Sequence, residues 1–124
     1  MTDILGCILA VFVHAANVHD TMAGAFPVAL ALEKHPSFLG VCGDEGYRGT
    51  FKETVEGFGL KCDISEKIIP KGWHITPKRW RVERTFGWFG GYRRLSKDYE
   101  IKTDSAETMV LIAHSQVLLK RLTY

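Results

Sequence analysis

The chain has 124 residues, 46% of them hydrophobic and 24% charged, which is enough for one globular domain with its own core and too little for two. Its net charge of +2 conceals a division: the stretch from Lys67 to Lys97 holds nine of the sixteen Lys and Arg residues but only one of the fourteen acids, Glu83, and sums to about +8. No apolar run is long enough to span a bilayer, and Cys7, Cys42 and Cys62, lacking any Cys-x-x-Cys or tight Cys/His cluster, read as buried thiols of a reducing compartment rather than zinc ligands.

In chain order, Thr2 to Gly6 reads as a turn and Cys7 to His14 as a long β-prone run. The apolar stretch from Ile4 to Val13 has the length of a leader, but Asp3 precedes it and Gly6 interrupts it, so it is assigned to strand. Asn17 to Thr21 is polar and loop-like. Pro27 to Lys34 suits a short helix with Pro36 beyond its end. Phe38 to Cys42 is a second apolar strand, ended by the turn signal Gly43-Asp44-Glu45-Gly46-Tyr47-Arg48-Gly49. Thr50 to Phe58 then reads as a helix closed by Gly59, and Leu60 to Ser65 as a third strand.

A basic loop starts at Pro70-Lys71-Gly72, and a helix begins at Pro77, with Val82, Phe86 and Phe89 forming one apolar stripe. Glu83 falls about a quarter-turn from that stripe, sharing its face with Gly87 and Gly90. Asp104-Ser105-Ala106-Glu107 resembles a capping box and opens a last helix through Val110, Leu111, His114, Val117, Leu118 and Leu122. Strands alternating with helices imply an α/β sheet with helical cover.

Two carboxylates stand out as carriers of chemistry. Asp44 lies at the carboxyl end of an apolar strand, where α/β sheets bind ligands, although a turn-capping role explains it equally well. Glu83 reads either as an ion-pair partner of Arg79 or Arg84 or as a metal ligand. Brought together, the two would offer hard oxygens to Mg²⁺, which completes its shell with water and phosphate oxygens. The surrounding Lys and Arg residues suit a polyanion such as DNA. His14 and His19 read as strand-end or loop residues and His114 as a core residue. Trp73, Trp80 and Trp88 punctuate the basic stretch, where packing is the commoner use of an indole and base stacking the rarer one.

Gly43 to Gly49, Pro77 to Trp88 and Tyr92 to Glu100 closely resemble the carboxyl-terminal part of bacterial insertion-sequence transposases, in the DDE group related to insertion sequence five. Leu5 to Asp20, including His14-Ala15-Ala16-Asn17-Val18-His19-Asp20, resembles the second and third strands of that family and the loop after them, so the resemblance covers essentially the whole chain. It implies a ribonuclease-H-like α/β fold, a mixed sheet with flanking helices, incomplete at the N-terminus, with residues 1–124 forming one partial catalytic domain. It makes Asp44 and Glu83 the second and third acids of a triad binding Mg²⁺ or Mn²⁺. Arg79, Arg81, Arg84, Arg93, Arg94 and Lys97 become candidates for phosphate contact, Arg84 foremost.

The family's first acid lies on a strand upstream of the residues matched, and Asp3 corresponds to a different aspartate. The expectation is therefore a transposase fragment in a bacterial cytoplasm. Its parent activity is cleavage of DNA at element ends and strand transfer into target DNA, and it is inactive alone. Its expected partners are DNA and either the upstream half of the transposase or a second copy, with no membrane. Two alternatives remain: a non-catalytic DNA-binding or oligomerising modulator of an intact transposase, and a free-standing metal-dependent nuclease.

Overall fold

The computed structural model describes residues 1–64 and 77–123, with every side chain among them except those of residues 77–79. Lys67, Lys71, Trp73, the loop from Pro70 and the expected strand end at Ser65 lie outside the described residues, as do the side chains of Lys78 and Arg79. In chain order come α1 (Asp20–Ala23), α2 (Ala25–Lys34), β1 (Gly40–Gly43), a 3-10 turn (Glu45–Tyr47) and α3 (Thr50–Gly57). Then follow β2 (Lys61–Ile64), α4 (Pro77–Phe89), a second 3-10 turn (Arg93–Leu95) and α5 (Thr103–Thr123).

The α/β part follows the apolar pattern. Among the described residues β1 and β2 form a parallel pair, Gly40 opposite Lys61 and Gly43 opposite Ile64. A parallel pair needs a crossover, and α3 supplies it. Phe51 and Val55, one turn apart on α3, are buried with Val28 of α2 and Leu60, and Val41, Cys62 and Ile64 of the strands pack against them. After α3 the chain reverses at Gly59, whose φ of +79° suits only glycine without strain. Gly24 lets α1 meet α2 with no intervening loop: a Cβ there would lie 2.7 Å from the Tyr47 ring and 3.0 Å from that of Phe51. Helix α1 replaces part of the expected polar loop, because the His19 imidazole accepts from the Thr21 amide and caps it.

The expected strand over Cys7 to His14 does not form; the segment makes a single antiparallel bridge, Thr2 to Ile8. Two of its amides are taken by side chains of α5, while those of Leu9 and Ala10 bond the Met1 carbonyl. Ile8 N–H donates to His114 Nε2 at 3.1 Å and Val13 N–H to Glu107 Oε1 at 2.8 Å. That diversion also displaces the expected capping box, since Glu107 reaches the N-terminal segment, and α5 opens at Thr103.

The turn before this segment is built by Asp3, whose Oδ1 accepts from Leu5 N–H and Cys7 N–H, both at 2.8 Å. It docks on α4 at Gly6, whose carbonyl accepts from Thr85 Oγ1 at 2.6 Å. This contact sets the rotation of α4. Thr85 and Phe89 face inward, while Val82 and Phe86 of the expected apolar stripe are left 44% and 67% exposed. Helix α5 likewise buries Ala113, His114 and Val117 and exposes Leu111, Ile112, Leu118, Leu119 and Leu122. Among the described residues no helix is long and apolar enough to cross a membrane.

The Ile8 bond requires His114 Nε2 to be unprotonated. Burial pushes the His114 pKa down from its ordinary value near 6.5; Arg121 acts in the same direction and Asp3 against it. The unfolded chain takes up this proton at about pH 6.5 and the folded chain only at lower pH. The contribution of neutral His114 is therefore complete above that pH and is lost as pH falls towards the folded value. Thermal melting should occur at a lower temperature at pH 5 than at pH 7.5, and His114→Gln, which keeps an acceptor, should flatten the difference. Identical pH profiles for the two proteins would contradict this role.

Candidate metal and nucleic-acid site

Asp44 directly follows β1, at its carboxyl end. Its backbone is extended, and its Oδ1 accepts from Gly46 N–H at 3.0 Å, capping the 3-10 turn over Glu45–Tyr47. The capping role and the exposed strand-end position therefore coexist, because one carboxylate oxygen makes the cap and the side chain remains open to solvent. Tyr47 lies close by: burial raises its phenol pKa, and the charges of Asp20 and Asp44 raise it further. Asp20 thus shares the electronegative neighbourhood of Asp44, and its Oδ1 lies 3.5 Å from His14 Nε2. Asp20 carries no sequence signal beyond its place in a polar His- and Asn-containing stretch, and only folding brings it near Tyr47.

Glu83 is exposed on α4, on the side of the helix opposite Thr85 and Phe89, and it takes part in interactions of its own. Among the described residues no three His, Cys, Asp or Glu side chains are grouped to hold a metal ion. Two surface hollows, of about 280 Å³ beside Arg94 and Asp104 and about 350 Å³ between α2 and α3, include neither Asp44 nor Glu83.

The basic residues divide into exposed and engaged groups. Arg93 and Lys97 are exposed at and just beyond the second 3-10 turn, and Arg81 is half-buried on α4. Arg94 forms an ion pair with Glu100, and its guanidinium lies 5.7 Å from the Tyr99 ring centroid. Arg84 is held between two indoles, 4.6 Å from Trp80 and 5.5 Å from Trp88, with its NH2 group 3.4 Å from the Ile4 carbonyl. Its Nε is buried without a hydrogen-bond partner among the described residues. The residue with the strongest sequence case for phosphate contact is therefore also a structural link between α4 and the N-terminal turn. The i, i+4, i+8 spacing of Trp80, Arg84 and Trp88 is the signal that could have revealed this arrangement.

Comparison with known proteins adds an independent line. A family model described as the transposase DDE domain matches residues 41–120, which include both Asp44 and Glu83. A protein of Burkholderia cepacia, assigned as a transposase for insertion sequence element IS402, is 30% identical over 112 residues, covering 84% of this chain and 53% of that protein. The chain thus spans about half the length of this relative. No solved structure matches the chain. The matched family, the insertion-sequence relative and the α/β arrangement agree, and the chain belongs to the transposase DDE domain family, as part of an insertion-sequence transposase.

Proposed function

We propose that this chain supplies the second and third acids, Asp44 and Glu83, of a transposase catalytic site that cuts DNA at element ends and joins the freed 3′-hydroxyl to target DNA. The family match across residues 41–120 carries the reading, because it spans both acids and the basic residues between and after them. In support, the parallel pair with its α3 crossover is compatible with a ribonuclease-H-like sheet, and both acids stand on open surface, as a DNA substrate requires. The reading assigns no first acid within the chain, since the resemblance matches Asp3 to a different aspartate of the family, and its Oδ1 serves a local turn by accepting from two backbone amides.

The donor chemistry fits a divalent cation of the Mg²⁺ or Mn²⁺ type: carboxylate oxygens are the hard ligands such ions prefer, and Asp44 has a second oxygen beyond the one that caps Gly46. When bound, the ion supplies charge neutralisation at the reacting phosphate and activation of the attacking oxygen. The chain's own groups do the rest. Asp44 and Glu83 hold the cation from the strand end and from α4, and Arg93, Lys97 and Arg81 neutralise flanking phosphates. Arg84 fixes the α4 surface on which Glu83 stands, in addition to any phosphate contact. Residues 1–124 act as one partial domain whose partners are DNA and the remaining part of the transposase.

Two outcomes are expected. The 124-residue chain alone should show no strand transfer and little Mg²⁺-dependent cleavage, and addition of the upstream half of a full-length relative should restore cleavage. Asp44→Ala or Glu83→Gln should lower the restored rate at least a hundredfold, whereas strong cleavage by the chain alone that is lost on Asp44→Ala would show that its own residues complete the site. Duplex DNA binding, followed by fluorescence anisotropy, should be sequence-tolerant and fall steeply with salt. Arg93→Ala and Lys97→Ala should each reduce the slope of log affinity against log salt by about one. Salt-independent binding would remove the phosphate role.

A further inference from the structure

Trp80, Arg84 and Trp88 occupy positions i, i+4 and i+8 of α4 and form an alternating stack of indole, guanidinium and indole. Arg121 of α5 adds a second guanidinium, 4.4 Å from the Trp88 ring. The two indoles differ in exposure. Trp88 lies among two cations and is half-buried, whereas Trp80 is 47% exposed and, among the described residues, only Arg84 is stacked on it. The stack is anchored from below, because the Arg84 Nε is buried and its NH2 group approaches the Ile4 carbonyl of the N-terminal turn. The outcome is a solvent-exposed indole with a cation stacked behind it.

We infer that Trp80 is a stacking platform for an unpaired DNA base beside the proposed metal ligand, an inference that rests on the transposase reading above. Trp80 and Glu83 are three residues apart on α4 and both are exposed, so a base resting on the indole lies about one helical turn from the carboxylate. Aromatic faces bind unstacked bases with little sequence preference, and a base inside a duplex presents no free face to them. Arg81, next to Trp80 in the chain and half-buried on α4, supplies positive charge of the kind that accompanies such platforms. Trp88 plays a different part: it packs between Arg84 and Arg121 and holds the stack to α5.

The test measures binding of the full 124-residue chain, at low salt, to three fluorescent DNAs of equal length: a single strand, the same strand with abasic sites in place of its bases, and a duplex. The wild type should bind the normal strand about tenfold more tightly than the abasic strand. Trp80→Phe should keep most of that preference. Trp80→Ala should lose it while leaving abasic and duplex affinities within about twofold. If Trp80→Ala does not fold, the base-versus-abasic ratio in the wild type decides. Equal binding of the two single strands by a wild type that still binds duplex overturns this inference alone; failure to bind any of the three DNAs overturns the DNA-binding reading with it.

Discussion

The side-chain bonds from α5 to the N-terminal segment are the constraint on which the remaining arrangement depends. Ile8 and Val13 donate their amides to His114 and Glu107, and two residues before Ile8 the Gly6 carbonyl accepts from Thr85 of α4. The same segment begins at Met1, whose side chain packs against the core of α2, α3 and the strands. It therefore ties the helical pair α4 and α5 to the sheet layer. Each such bond contributes about 1 kcal/mol net, but removing an acceptor leaves a desolvated amide at a cost of about 1–3 kcal/mol. Gly6 is the narrowest point of this tie: its φ is +81°, and a Cβ there would lie 3.0 Å from Thr85 Oγ1 and 3.2 Å from the Arg81 carbonyl.

The same tie explains how much of the fold was legible in the sequence. Elements whose pattern is locally complete appear close to where the residues place them. Helix α3 begins at Thr50 and is closed by Gly59, and the strands flanking it fall within two residues of expectation at the ends that can be compared. Elements decided by distant partners do not. The β-prone run from Cys7 has the composition of a strand, but two of its amides, those of Ile8 and Val13, find His114 and Glu107, about a hundred residues away. Glu107 accepts from Val13, and α5 opens at Thr103, one residue before the expected box. The stripe of Val82, Phe86 and Phe89 reads as a core face, yet the docking of Thr85 against Gly6 turns the helix so that Phe86 points outward.

The candidate site shows the same contrast. Asp44 was legible because strand, glycine turn and acid are contiguous, and its two readings prove compatible: it caps a turn with one oxygen and remains exposed. Glu83 was legible as the single acid in a basic stretch. Charge counting, however, treats all arginines alike. Folding separates Arg93, exposed to solvent, from Arg94, neutralised by Glu100, and from Arg84, held between indoles. Among the described residues two cations of α4 and the turn after it, Arg84 and Arg94, are thus already engaged within the chain, which leaves fewer for DNA than the sequence total suggests.

The account turns on whether Asp44 and Glu83, thirty-nine residues apart in sequence, serve one divalent cation. The most direct measurement is paramagnetic broadening of backbone amide resonances as Mn²⁺ is titrated into the isotope-labelled chain. The account predicts that the amides of Asp44 to Gly46 and those around Glu83 broaden together at the lowest Mn²⁺ concentrations, and that Asp44→Ala abolishes the effect at both places. Broadening confined to one of the two segments, or surviving unchanged at Glu83 in Asp44→Ala, would contradict a shared site.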